Sequence, residues 1–434
     1  MLGKLFYPED VRSFMSKEQK KAVVYGAGSV GRGFIGQLFS QSGFEVVFVD
    51  LDARLVNLLE KARQYPVRLV NDRGFSEILV GNVRAVDGAK QEHVLGLLCA
   101  AEVAATAVGV RALASLARPI ASGLQNRWAN GNFSPLNILV CENEIHANRR
   151  LKKLVMDELP SETHEQLEEV VGFVEVSVGR NIAVMTPELW DGNPLRLVAE
   201  SYDSLPVDKD SIRGEMPSVS NMRIVSPFEP CIHQKLFMYN MAHAVVAYLG
   251  YLLGNKYLCD AVRNSSIRFI ARNALAESAR ALSKEDGTPL DGLLEHADEL
   301  LVRFENRLLG ITIERTGMDP LRKLSNGDRL IGAAMICKKW SVVPVYISMG
   351  AAAAFLFDPP NDPTASEVAE RVKVGGIHKA ISSICGLEKE DPVLNSIALN
   401  YEYMITGKSL EQIIGFAPRL ADGSTFPDRL VSPK

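Results

Sequence analysis

Residues 21–36 read KAVVYGAGSVGRGFIG, and the fold turns on them. KAVVY is a short apolar run that stops at glycine, as a strand buried on both faces does. GAGSVG (26–31) fits G-x-G-x-x-G at Gly26, Gly28 and Gly31, and FIGQLFSQSG then continues at helical spacing. Strand, glycine turn and helix in that order open a dinucleotide-binding unit. Gly26 permits the tight turn, Gly28 lets a pyrophosphate approach the backbone, and Gly31 lets helix and strand pack closely. The helix start offers N–H groups to phosphates, so Gly26, Ala27, Gly28, Ser29, Val30 and Gly31 form the expected cradle. The second strand, EVVFVD (45–50), ends at Asp50, 24 residues after Gly26. A carboxylate there accepts hydrogen bonds from a ribose hydroxyl and repels a 2′-phosphate. This predicts NAD over NADP, with Arg54 nearby as the contrary sign.

Outward from this unit the alternation continues. DARLVNLLEKARQY reads as a helix and 66–87 as short, less regular strands. AEVAATAVG (101–109) and LNILVCEN (136–143) read as buried strands with a helix between them, and 168–202 holds more strand-like runs. Strand–helix alternation predicts a Rossmann-type, doubly wound parallel sheet over 20–225. From about residue 230 helical patterns take over, at 234–253, 258–283, 292–310, 327–342, 364–385 and 391–404. The fold class is thus α/β plus all-α, with a mainly helical domain over 226–405. Residues 1–19 read as an N-terminal extension and 406–434 as a loosely ordered tail.

Composition bounds the rest. A chain of 434 residues is too long for one ordinary core. Lys plus Arg is 48 and Asp plus Glu is 52, so the formal charge is −4 and carries no global footprint for nucleic acid. The six cysteines, at 99, 141, 231, 259, 337 and 385, are nowhere closer than 28 residues, which excludes CxxC motifs and zinc knuckles. The opening MLGKLFYPEDVRSF has no apolar stretch of the kind a signal peptide needs. Val342–Phe357, the longest apolar run, is too short for a membrane helix and contains a proline and a glycine. It reads as a buried element, and the expected location is the cytoplasm, away from membranes.

Within KLFMYNMAHAVVAYL (235–249) three polar residues interrupt an otherwise apolar helix: Lys235, Asn240 and His243. At about 100° per residue Asn240 lies about 140° from Lys235, with His243 between them at about 80°. All three then share one broad face. A buried lysine needs partners or a lowered pKa, and with a lowered pKa it serves as a general base. An amide beside it can hold a developing alkoxide. A second cluster, RTGMDPLRKLSNGDR (315–329), brings Arg315, Arg322, Lys323 and Arg329 together in sequence. It could clamp a phosphate or carboxylate. On spacing alone it reads slightly better as a solvated charge run between helices. No Tyr-x-x-x-Lys occurs, the histidines and cysteines form no compact zinc-ligand cluster, and no nucleophile elbow is present.

These segments resemble the polyol-specific long-chain dehydrogenases. The similarity runs through GAGSVGRGFIG (26–36), TAVG (106–109), CENE (141–144), KLFMYNMAHAVVAYLG (235–250), RFEN (303–306) and PLRKLSNGDRL (320–330), in the family's order. It implies zinc-independent, NAD-linked oxidation of a secondary alcohol, with no metal. Lys235 would be the general base, Asn240 would hold the reacting oxygen, and His243 would contact substrate hydroxyls. Val108, Gly109, Glu142 and Asn143 would join the cofactor set. PLRKL implies the phosphate-using branch, moving Arg322 and Lys323, with Arg315, towards substrate phosphate. The implied reaction interconverts mannitol 1-phosphate and fructose 6-phosphate, in a monomer or homodimer. A free-polyol or hexuronate oxidoreductase of the same family is the alternative, and a non-catalytic NAD sensor a more distant one. The chain departs from the family pattern at Gly179-Arg180, where an Asp-Arg pair is usual.

Overall fold

The computed structural model describes residues 20–71 and 73–421. The chain forms two compact units that divide between Phe228 and Glu229. The expected extension at 1–19 lies outside the described residues, as does 422–434.

The first unit carries eleven strands: β1 (Lys21–Tyr25), β2 (Glu45–Asp50), β3 (Tyr65–Asn71), β4 (Gly74–Val80), β5 (Val83–Asp87), β6 (Ala101–Thr106), β7 (Leu136–Val140), β8 (Val171–Glu175), β9 (Leu197–Glu200), β10 (Leu205–Asp208) and β11 (Met222–Val225). Six form one sheet in the order β5-β2-β1-β6-β7-β8, with every neighbouring pair parallel. Numbered by their place in the chain, these six run 3-2-1-4-5-6, the doubly wound order. Alternation along β1 explains why the strand is apolar throughout. Ala22 and Val24 pack with Phe34, Phe39 and Phe48 on one face, while Val23 and Tyr25 pack with Leu98, Ile120 and Leu124 on the other. The irregular stretch 66–87 divides: β5 joins the main sheet, and β3 and β4 build a separate three-stranded sheet with β9. β10 and β11 pair in parallel by themselves.

The turn after β1 is backbone against backbone. Gly26 sits at φ +97°, and a β-carbon on Gly31 would fall 1.9 Å from the Gly26 carbonyl oxygen. The chain leaves this turn through a π-helical segment, Gly31–Ile35, before the α-helix Gly36–Gln41.

The second unit is helical. Met241–Leu252 is buried nearly all round, and so is Val345–Ala354, the helix that forms from the long apolar run. The single helix expected over 258–283 is two, Leu258–Arg263 and Ser265–Asp286. The break falls at Asn264, whose side chain leaves the helical path to accept from the N–H groups of Ser266 and Ile267. Likewise the helix expected over 292–310 ends at Phe304, where Asn306 caps a short 3₁₀ turn. The tail expected from 406 is corrected for its first part. Leu410–Ala421 is helical, with Leu410, Ile413 and Ala417 buried in the helical core. No helix among the described residues is long and apolar enough to cross a membrane.

Gly31→Ala is the sharpest test of the turn. The methyl would overlap backbone rather than a yielding side chain. A loss of about 3 kcal/mol or more in urea unfolding is expected, at the upper end of overpacking costs. A variant as stable as the parent would refute the packing.

Candidate functional site

In the first unit the site is the carboxyl end of the sheet. β1 and β6 lie side by side where the strand order reverses, the place at which open α/β sheets bind ligands. A β-carbon on Gly28 would meet nothing within 4 Å, and Gly28 and Ser29 are exposed. The loop is therefore open on the side from which a diphosphate must come. Asp50 Oδ2 accepts the Ala27 N–H at 2.6 Å, and Oδ1 accepts the Asp52 N–H at 2.9 Å. The acid expected to hold a ribose thus also ties the glycine loop to β2, and a carboxylate has lone pairs left for a hydroxyl. Asp87, opposite Asp50 in register, ends the neighbouring strand with a second carboxylate. That pair strengthens the bias against a 2′-phosphate.

Val108 and Glu142 come together. Glu142 is 5% exposed, and its Oε1 accepts the Val108 N–H at 3.0 Å. Burial pushes the carboxyl above its usual range, against the hydrogen bonds it accepts. Gly109 follows at φ +87° and is exposed, as is Asn143. At the end of β8, Glu175 accepts the His146 N–H at 2.7 Å and faces its Nδ1 at 3.2 Å.

Two clamps, one on this loop and one on the helical segment that follows it, escaped the reading of the sequence. Arg32 is buried and donates to the carbonyls of Ala27, at 2.6 Å, and Leu195, at 2.7 Å. Arg180 is buried too, lies over the Phe34 ring and donates to Gly33 O and Gln37 Oε1. Burial pulls its pKa down to about 10. The signal present in the sequence was the arginine in GRGFIG itself.

In the second unit Lys235 and Asn240 lie on a π-helical segment, Gln234–Asn240, which corrects the uniform α-helix expected there. The i→i+5 pattern of a π turn draws residues five apart towards the same face, so the 140° separation shrinks. Lys235 is half-buried and Asn240 is 9% exposed. His243 follows on the next α-helix, stacked on Phe304 with centroids 4.8 Å apart and 5.4 Å from the Tyr239 ring. Its Nε2 is shut off from solvent and has no hydrogen-bond partner among the described residues. Burial first, then Lys323, Arg329 and Arg303, brings its pKa down to about 3, so the ring is neutral at physiological pH.

The basic cluster is only partly a solvated run: Arg315 and Arg322 are exposed, whereas Lys323 and Arg329 are buried. Lys323 is 5% exposed and Arg329 8%. Lys323 Nζ donates to the carbonyls of Thr316 and Met318, and burial with Arg329 and Arg322 pulls its pKa down to about 7. Asp328 pairs with Arg329 at 2.8 Å and with Arg322 at 3.1 Å, and Arg322 also meets Asp319 at 2.6 Å. Arg315 stands apart, exposed on the short helix Ile313–Gly317. Arg303 was missed: it lies over the Tyr239 ring at 5.1 Å, one residue before the Phe304 that stacks on His243. RFEN held that signal. Among the described residues no group of three His, Cys, Asp or Glu could hold a metal ion.

A parallel sheet in this order, with an open glycine loop at its switch point, defines a Rossmann-type dinucleotide-binding protein. The chain belongs to the mannitol dehydrogenase family. The family's Rossmann-domain model matches residues 20–221 and its C-terminal-domain model matches 225–405. A mannitol-1-phosphate 5-dehydrogenase of Thermoanaerobacter pseudethanolicus is 35% identical over 382 residues, 88% of this chain and 97% of that protein. One from Caldanaerobacter subterraneus subsp. tengcongensis is 34% identical, covering 89% of this chain and 99% of that protein. Among solved structures, a D-sorbitol dehydrogenase superposes with a TM-score of 0.76 at 16% identity, covering 94% of this chain and 100% of that one. A Pseudomonas fluorescens mannitol 2-dehydrogenase, in a ternary complex with NAD and D-mannitol, gives 0.73 at 13%, covering 94% and 95%. At these identities the two structures speak for the fold.

The His243 pKa has a consequence for stability. It lies below the unfolded value of about 6.5, so under that pH the unfolded chain takes up a proton that the native chain does not. The contribution is whole above pH 6.5 and is lost as pH falls towards 3. Urea unfolding at pH 7 and pH 5 should show the parent weakening more than His243→Asn, by up to about 1 kcal/mol per pH unit. Equal slopes would contradict the burial of the ring.

Proposed function

We propose that the protein is an NAD-dependent, zinc-independent mannitol-1-phosphate 5-dehydrogenase, interconverting mannitol 1-phosphate and fructose 6-phosphate. The observation that carries the phosphate in this reading is the pair Lys323 and Arg329, both buried, whose charge reaches His243. A buried lysine that a phosphate would hold in its charged form, beside a buried arginine and a neutral ring, suits an anionic substrate better than a free polyol. The names of the curated relatives point the same way.

In this reading the open loop at Gly28 and Ser29 receives the NAD diphosphate, and Asp50 accepts from the adenosine ribose. Bound NAD supplies the hydride acceptor. Lys235 takes the hydroxyl proton as the carbon is oxidised. Asn240, on the same π turn, holds the reacting oxygen, and His243, the third polar residue of the stretch, contacts substrate hydroxyls. Arg322, tied to Asp319 and Asp328, completes the phosphate pocket with Lys323.

Lys235→Ala should lower kcat by orders of magnitude with the Kd for NAD nearly unchanged, since a general base contributes about 10²–10⁴. An unaltered rate would remove the lysine from the mechanism. Arg322→Ala should raise KM for mannitol 1-phosphate several-fold. A panel of mannitol 1-phosphate, mannitol and fructuronate, followed by NADH absorbance, decides the substrate class. An equal loss on a free polyol would count against the phosphate role.

A further inference from the structure

We propose that Ser278 is a positioning residue that holds the π turn in the geometry its functional side chains need. In an α-helix the N–H of Met241 would serve the carbonyl of Phe237, four residues back. Here it goes to Leu236 and Met238 instead. The Phe237 carbonyl accepts from Ser278 Oγ at 2.7 Å, a buried bond from a residue 1% exposed. Ser278 lies on the helix Ser265–Asp286, which also reaches the entrance of the turn. Asp286 Oδ1 meets His233 Nδ1 at 2.8 Å, one residue before the π segment begins. That histidine lies against the Phe237 ring, with centroids 5.6 Å apart.

The turn therefore has a hold at its start and another at its middle, both from one rigid neighbour. Reversion to α-helical pairing would move Lys235 and Asn240 apart, and it would make the Met241 N–H compete with the Ser278 hydroxyl for the Phe237 carbonyl. The hydroxyl thus favours the π form over the α form of the same segment.

The inference rests on Lys235 acting as the general base, and two variants keep the ideas separable. Ser278→Ala is expected to lower kcat about tenfold or more and to shift the ascending limb of the kcat/KM pH profile, as misplacement of a reacting group does. The Kd for NAD should stay within about twofold, since this bond belongs to the second unit and the glycine loop to the first. Ser278→Cys fits the same space with a weaker donor and should fall between parent and alanine variant. A folded Ser278→Ala with parental kcat and pH profile would overturn the proposal. So would a cysteine variant with fully parental kcat beside a tenfold-impaired alanine variant of unshifted profile, because only packing would then matter. If Lys235→Ala keeps its rate, the general-base reading fails first. If Lys235→Ala is inactive while Ser278→Ala is unchanged, only the role of Ser278 fails.

Discussion

Arg32 donates to the carbonyls of Ala27 and Leu195, and the glycine loop keeps its shape partly because it does. Similar contacts recur at other buried ionisable groups among the described residues. Glu142 accepts from Val108, Glu175 from His146, and Glu277 from Tyr346 and Ile347 at the start of the buried helix Val345–Ala354. Arg127 donates to the carbonyls of Leu98, Ala101 and Ser134. A buried charge must be met by hydrogen bonds or it costs several kcal/mol. A loop with unpaired N–H and C=O groups costs free energy for the same reason. Each clamp settles both debts, and it does so at the irregular segments that no helix or strand ladder could fix.

That constraint separates what the sequence discloses from what it hides. Gly26 and Gly31 are legible because no other residue fits a backbone-to-backbone contact of this closeness. The strands of the main sheet are legible because burial on both faces leaves a run with nothing polar in it. β3 and β4 were harder: β4 alternates weakly, with most of its residues exposed, and its sheet is small. A clamp such as Arg32 or Arg180 leaves no mark on such patterns. An arginine reads as surface until its carbonyl partners, 163 residues away for Leu195, are in place. Lys323 deceived for the same reason, sitting in a stretch whose composition is that of a solvated loop. The helix Leu410–Ala421 is a different failure. Leu410, Ile413 and Ala417 show helical spacing, but the glycines and proline around them outweighed it.

The π turn shows the limit most clearly. Lys235, Asn240 and His243 stand out by composition alone, since each is polar in an apolar run. Their relative placement is another matter, because an angular argument needs the helical period and assumes about 3.6 residues per turn. Seven residues of π geometry change that period locally, and nothing in QKLFMYN announces it. The bond proposed to hold it comes from Ser278, 41 residues away. Composition thus picks out the polar residues of the stretch, while the local helical period decides which of them share a face.

Lys323 carries the argument about substrate furthest. Asp328 is committed to Arg329 and Arg322, and Asp319 to Arg322. Asp362 accepts from the N–H groups of Asp319 and Thr364. Lys323 makes no ion pair among the described residues and spends two of its three donors on carbonyls. With its pKa brought down to about 7, it is poised between charged and neutral forms near physiological pH. A neutral hexitol would do nothing for the charged form. A phosphate would favour it, since an opposite charge within a few ångströms can offset desolvation. On the proposed reading, phosphate binding and protonation of Lys323 are therefore coupled, and a phosphate ester gains an interaction with the charged form that a free polyol does not.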